Sequence, residues 1–213
     1  MTIKKIGHCC LVIEMKGVRF LTDPGSYSTG QNDERDIDCV VITHEHADHF
    51  HLDSLKAVLR NNPNAGVVTN AAVGKLLDQA GIPYVSVPDG GRTDVGGISL
   101  TGHGAKHAVI YKEYGQVENT GYFFDGTLFY PGDAFFEPGA PVDVLALPVA
   151  GPWCKLSEVI EYALALKPRA VFPVHDAVLS SPAFINRLAE TFLQPAGIAF
   201  MALELGKETE IGA

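Results

Sequence analysis

The chain has 213 residues, 46% hydrophobic and 19% charged, which is enough apolar content to bury a core and excludes an intrinsically disordered polypeptide. Its 16 basic and 25 acidic residues give a formal charge of −9, which argues against broad nucleic-acid contact, because phosphate binding needs clustered Lys and Arg. The 22 glycines and 13 prolines predict many tight turns between short elements.

Short β-like runs open the chain at Ile3–Gly7, Leu11–Glu14 and Val18–Thr22, punctuated by Gly7 and by Lys16-Gly17. Cys39–Ile42 is a continuous apolar run and reads as a strand buried on both faces. A helix follows with Asp53 as its N-cap and Leu55, Val58 and Leu59 on one side. Next come a strand at Val67–Thr69, a helix over Ala71–Gln79 ending at Gly81, and a short strand near Val85. From about residue 92 to 131 the pattern is β again, with Ile98–Thr101, Ala108–Tyr111, Thr120–Phe124 and Leu128–Tyr130. The last third alternates: strand Val144–Leu147, helix Ser157–Leu166, strand Val171–Val174, helix Ala183–Phe192, strand Ile198–Leu203. Ser181-Pro182 reads as a hydroxyl cap followed by proline at the first helical position.

Two halves of similar make-up predict an α/β fold with two packed sheets and helices outside, a four-layer αββα sandwich. With no linker, charge block or low-complexity stretch between them, residues 1–213 read as a single domain. No apolar run approaches the ~20 residues of a spanning helix. The opening residues lead into a strand rather than a secretory segment. Cys9, Cys10, Cys39 and Cys154 form no CxxC and read as free thiols, so a reducing, cytoplasmic setting is expected.

The strongest local signal is Thr43-His44-Glu45-His46-Ala47-Asp48-His49, directly after the buried strand. In extended backbone, positions i and i+2 project to one side, so His44 and His46 can reach one cation. The chain then turns, and Asp48 and His49 can point at a neighbouring position. Imidazole and carboxylate donors suit Zn²⁺, Mn²⁺ or Fe better than Mg²⁺ or Ca²⁺. Further donors adjoin later strands: His103 and His107, then Asp133 in Tyr130-Pro131-Gly132-Asp133, then His175-Asp176. Functional groups gather where strand ends meet loops, which fits these placements.

His44-x-His46-x-Asp48-His49 resembles the HxHxDH signature of the metallo-β-lactamase fold superfamily. Asp23, a His near 107, Gly132-Asp133 and His175 follow in the order expected of that superfamily. The early Ile6-Gly7-His8 and the short length resemble the branch that contains ascorbate phosphate lactonase-like and related uncharacterised hydrolases. The resemblance implies one metal held by His44, His46 and His107, and a second held by Asp48, His49 and His175, with Asp133 bridging. The cofactors are then two divalent ions, zinc foremost, with Mn or Fe as alternatives. Such ions, ~3.5–4 Å apart, share a hydroxide that is available near pH 7 and polarise the scissile bond. Asp48 would also orient that hydroxide, and Asp48 and His175 are the catalytic assignments.

His107 is preferred to His103 because Lys106-His107-Ala108 leads into the expected strand, whereas His103 lies between two glycines. His8 divides evenly between contact with substrate or ligands and a structural role. His51 reads as a surface or capping residue, and Glu45, by alternation, points away from the metals. Asp23, through the resemblance, supports the His44–His49 loop by hydrogen bonding. Asp176 is a weaker alternative to His175. Trp153 is a core anchor or a pocket wall. A substrate phosphate would want Lys106, Lys112, Lys155 or Arg92, each more simply read as solvated surface charge.

The expected activity is metal-dependent hydrolysis of a small ester, lactone or phosphodiester. The alternatives are a nucleic-acid phosphodiesterase and a non-catalytic, metal-stabilised binding protein of the same fold. The expected partner is a small molecule, with no nucleic acid and no membrane, and homo-oligomerisation is left open.

Overall fold

Alternate residues of the early strands face opposite ways, and both faces are apolar. Leu11 and Ile13 enter one buried cluster while Cys10 and Val12 enter another. Cys39 and Val41 likewise part from Val40 and Ile42. A strand buried on both sides needs a layer on each, and this requirement generates the architecture.

The computed structural model describes residues 1–212. In chain order its elements are β1 (Thr2–Gly7), β2 (Cys10–Met15), β3 (Val18–Thr22), β4 (Cys39–Ile42), α1 (Leu52–Asn61), β5 (Gly66–Thr69), α2 (Ala71–Ala80) and β6 (Val85–Ser86). Then follow β7 (Arg92–Val95), β8 (Ile98–His103), β9 (Gly121–Phe124), β10 (Leu128–Tyr130), β11 (Val144–Pro148), α3 (Leu156–Leu166), β12 (Ala170–Val174), α4 (Pro182–Leu193), β13 (Ala199–Phe200) and β14 (Glu208–Glu210). They form two seven-stranded sheets, ordered β14-β1-β2-β3-β4-β5-β6 and β13-β12-β11-β10-β9-β8-β7.

The inner layer joins the sheets through Ile13, Phe20 and Val41 on one side and Leu100, Phe124 and Phe172 on the other. Leu55, Val58, Val73 and Leu77 of α1 and α2 cover the outer face of the first sheet. Val159, Tyr162, Ala163, Ala189 and Leu193 of α3 and α4 cover the second. This is the expected αββα sandwich. Each fully buried Leu, Phe or Val contributes about 1.5–3 kcal/mol.

Four local expectations are corrected. Ala108–Tyr111 is loop, with only an isolated bridge between Tyr111 and Tyr114, because β8 is already paired on both edges, by β7 and β9. Ile198–Leu203 shortens to β13, because only Ala170 and Val171 of β12 pair with it. The chain then leaves to form β14, which the sequence reading did not contain, beside β1. Helix α1 begins at Leu52 with His51, not Asp53, at the N-cap position, and the His51 ring meets Ser54 Oγ at 3.0 Å. Pro182 opens α4 as expected, but the Ser181 hydroxyl makes no capping bond.

Among the described residues, no helix is long and apolar enough to cross a membrane. Cys9, Cys10 and Cys39 are buried and Cys154 half-buried, and all are free thiols.

Candidate metal centre

Strands β3 to β6 run parallel, as do β10 to β13, so many carboxyl ends meet along one rim. In open α/β sheets that rim is where ligands bind. His8 follows β1, Asp23 follows β3, the His44–His49 loop follows β4, Asp133 follows β10 and His175 follows β12. Backbone bonds across the sandwich fix these turns: His175 N–H donates to His8 O at 3.2 Å, and Thr120 N–H to Thr43 O at 3.0 Å.

Two glycines permit the approach. A Cβ at Gly25 would collide with the backbone of Asp48, so the turn after Asp23 packs directly under the His44–His49 loop. Gly132 has φ +64°, and a Cβ there would strike the Asn119 side chain. His8, Asp23 and His175 also have left-handed backbone, at φ 48°, 39° and 62°. Such conformations persist only where the surroundings over-determine them, and here all three border one cluster.

Each residue that the resemblance assigns as a metal ligand enters one of two overlapping groups. His44, His46, His107 and Asp133 present donor atoms within 4.8 Å of one another, and so do Asp48, His49, Asp133 and His175. Asp133 belongs to both: its Oδ1 lies 3.1 Å from His49 Nε2, while its Oδ2 lies 3.3 Å from His107 Nε2 and 2.9 Å from His175 Nε2. His103 belongs to neither; its Nε2 meets Thr101 Oγ1 at 2.9 Å and its ring packs near Phe123 and Phe129. His107 therefore holds the position preferred for it, although it stands on a loop rather than at a strand.

A hydrogen-bonded frame fixes the imidazoles. Asp23, fully buried, accepts the Thr43 N–H at Oδ1, 2.8 Å. Its Oδ2 accepts the Thr43 hydroxyl at 2.7 Å, the Tyr130 hydroxyl at 2.6 Å and His49 Nδ1–H at 2.7 Å. With its proton given to Asp23, Thr43 Oγ1 accepts from His44 Nδ1 at 3.0 Å. His107 Nδ1–H donates to Ala108 O at 2.6 Å. In the neutral ring these bonds set the proton on Nδ1 of all three, so that Nε2 is the nitrogen left for a metal.

The remaining donors are equally constrained. Asp133 N–H donates to Asn119 Oδ1 at 3.0 Å, and Trp153 Nε1–H to Asp133 Oδ2 at 2.9 Å. His8 Nδ1 accepts the Ala177 N–H at 3.2 Å, so its Nε2–H donates to Asp48 Oδ2 at 3.1 Å. Yet the buried His44 Nε2, His49 Nε2, His175 Nε2 and Asp133 Oδ1 have no hydrogen-bond partner. Leaving such groups unpaired costs about 1–3 kcal/mol each, so their convergence fits a cation that the protein side alone does not supply.

The electrostatics divide the rings. Burial, reinforced by His49, pushes His44 well below the ordinary imidazole value, and burial with His107 lowers His46. Burial opposes charge on His49 too, but Asp133, Cys9 and Asp23 hold it well above. His175 follows the same rule: against burial, Cys9 and Asp133 raise it to about 10. Burial disfavours the Asp133 carboxylate, yet His49 and His175 hold it well below its usual range. Burial likewise disfavours the Asp48 carboxylate, yet the neighbouring imidazoles of His175 and His8 hold it below its usual range.

Several neighbours had no local signature in the sequence. Cys9, read only as a free thiol, groups with His8, His49 and His175; burial raises its thiol, but those imidazoles draw it down to about 6. Lys5 is buried and holds Asp176 Oδ2 at 2.6 Å and Pro173 O at 2.9 Å, which removes Asp176 as an alternative to His175. Thr43, Asn119 and Tyr130 complete the frame; only the spacing of strand ends could have placed them. Asp23 does support the loop as expected, and Trp153 is both buried anchor and wall.

The centre opens into a cavity of about 580 Å³, bounded by His46, Asp48, His107, Asp133, Trp153 and His175 among others. A depression of about 640 Å³ at the opposite ends of β11 to β13, near Asp143 and Arg169, contains none of these donors.

Comparison with known proteins agrees with this geometry. Residues 2–175 match the family described as "Beta-lactamase superfamily domain". Protein Rv0786c of Mycobacterium tuberculosis is 34% identical over 198 residues, covering 89% of this chain and 92% of that protein. A UPF0173 metal-dependent hydrolase of Nanoarchaeum equitans is 27% identical, covering 99% of each chain. The solved structure of Igni18, a metallo hydrolase of Ignicoccus hospitalis, superposes with TM-score 0.78 at 22% identity over 99% of both chains. The chain belongs to the metallo-β-lactamase fold superfamily.

Proposed function

We propose that the protein hydrolyses a small ester, lactone or phosphodiester at a centre of two divalent ions. His44, His46 and His107 would hold one, Asp48, His49 and His175 the other, and Asp133 would bridge them. The observation that carries this reading is the set of unpartnered buried donor atoms meeting on Asp133. Nitrogen and carboxylate donors favour zinc, with manganese or iron as alternatives. Bound there, the ions would lower the pKa of a shared water towards ~7 and polarise the bond to be cleaved.

The chain's own residues supply the rest. Asp23 and Thr43 hold the protons of His49 and His44 at Nδ1, so each Nε2 faces the centre as a donor. His8 fixes one Asp48 oxygen through Nε2–H, leaving the other to orient a water, and Trp153 does the same for Asp133. Asp48 and His175 line the cavity floor and are assigned to the reaction itself. The relatives named as metal-dependent hydrolases support the reading.

The test is metal-stimulated cleavage across a panel of lactones, thioesters and phosphodiesters, with bound metal measured in the same preparation. Wild type is expected to turn over at least one class, and His46→Ala or Asp133→Asn to abolish the stimulation while remaining folded. Full activity in both variants would overturn the assignment.

A further inference from the structure

Above the donor atoms, the cavity wall changes character. Tyr27, Ile110, Tyr114, Pro152, Trp153 and Val178 line it, and among the described residues no lysine or arginine does. They come from separate stretches: the turns after β3 and β12, the long β8–β9 loop, and the loop after β11. Tyr114, Tyr27 and Val178 are 74%, 54% and 48% exposed, an unusual concentration of bare apolar surface at one mouth. The bases named from the sequence are elsewhere: Lys112 sits over the Tyr111 ring, and Lys106, Lys155 and Arg92 are absent from the wall. The carboxylates that line the cavity, Asp48 and Asp133, lie at its floor beside the histidines of the metal centre.

A charged substituent carried beyond the reacting bond, away from the floor, would lose water against these apolar side chains and meet no lysine or arginine. An aromatic or branched apolar group would instead lie against Trp153 and Tyr114, each such contact contributing beyond its buried area. The volume, about 580 Å³, suits a small molecule.

We infer that the substrate is an uncharged acyl compound, a neutral ester or lactone, whose apolar or aromatic acyl group rests on Trp153, Tyr114, Tyr27 and Ile110. This rests on the hydrolase reading above and narrows it by the group carried beyond the reacting bond. One water is consumed: its hydroxyl bonds to the acyl carbon, the acyl C–O bond breaks, and the proton goes to the departing oxygen.

The experiment isolates charge remote from the reacting bond. Metal-loaded protein is assayed with para-nitrophenyl butyrate and para-nitrophenyl hemisuccinate, esters that differ by a distal carboxylate. The neutral ester is expected to show a kcat/KM at least about tenfold higher, and Ile110→Lys to narrow or reverse that ratio. Equal values for the two esters, or a ratio insensitive to Ile110→Lys, would overturn the inference while leaving hydrolysis intact.

A second arm needs no turnover. Trp153 is the only tryptophan in the chain and forms part of the wall, so its fluorescence reports occupancy. Titration of metal-free protein with phenylacetamide should give a saturable change, weakened about tenfold by Tyr114→Ala. Absence of that change would count against the pocket. Saturable binding without any ester cleavage at full metal load would support the pocket and overturn the hydrolase reading instead.

Discussion

His49 Nδ1 and Asp23 Oδ2 lie 2.7 Å apart in the fully buried floor of the centre. The two residues come from different strand ends, and their bond sets which ring nitrogen of His49 faces the cavity. Asp23 accepts three further bonds, from the Thr43 amide, the Thr43 hydroxyl and Tyr130. Asp23→Ala is therefore expected to weaken metal affinity by about 10–100-fold. It should also cost about 3 kcal/mol of stability, because several buried donors lose their acceptor together. Metal titration and thermal unfolding of the variant measure both; unchanged values would show that the frame does not orient the rings.

His103 and His107 are separated by four positions yet occupy different environments, one against Thr101 and the other against Asp133. His107→Ala should lower bound metal, and His103→Ala should leave it at the wild-type level. Elemental analysis after dialysis distinguishes them, and the opposite pattern would reverse the assignment.

Metal uptake should be coupled to proton release. Without metal, His175 is raised to about 10 and His49 lies well above its ordinary value, so both hold protons near neutrality that a metal must displace. His44 and His46, both lowered, release none there. Calorimetry in buffers of different ionisation enthalpy should show net release near pH 7; none would contradict these charge states. The sign for the metal-free fold follows from the same shifts. The His175 contribution is whole below its ordinary pKa of about 6.5 and is lost as pH rises through about 10. Those of Asp48 and Asp133 are present above the ordinary value of about 3.9 and fade as pH falls.

Lys5 and Asp176 form an ion pair at 2.6 Å, with the lysine side chain only 3% exposed. Lys5→Met leaves Asp176 and the Pro173 carbonyl without their cation, next to the His175 turn. The expected loss is about 3 kcal/mol, measured by denaturant unfolding, and Asp176→Asn added to it should recover part of the loss. Independent, additive losses would show that the pair is not coupled.

The two sheets were legible because Cys39–Ile42, Val144–Leu147 and Val171–Val174 are apolar on both faces, which only a layered fold satisfies. The donor residues were legible for a different reason: three histidines and an aspartate crowd into His44–His49. Thr43, Asn119, Tyr130 and Lys5 were not, since each acts through a partner distant in sequence and none carries a local signature. The loop around Ala108–Tyr111 misled because its apolar content resembles a strand. Val109 and Tyr111 are in fact 61% and 66% exposed, beside a strand with no free edge.

Anomalous scattering from crystals reconstituted with zinc tests the central claim most directly. About two peaks per chain are expected, one among His44, His46 and His107 and one among Asp48, His49 and His175, both touching Asp133. A single peak, or peaks remote from Asp133, would contradict it.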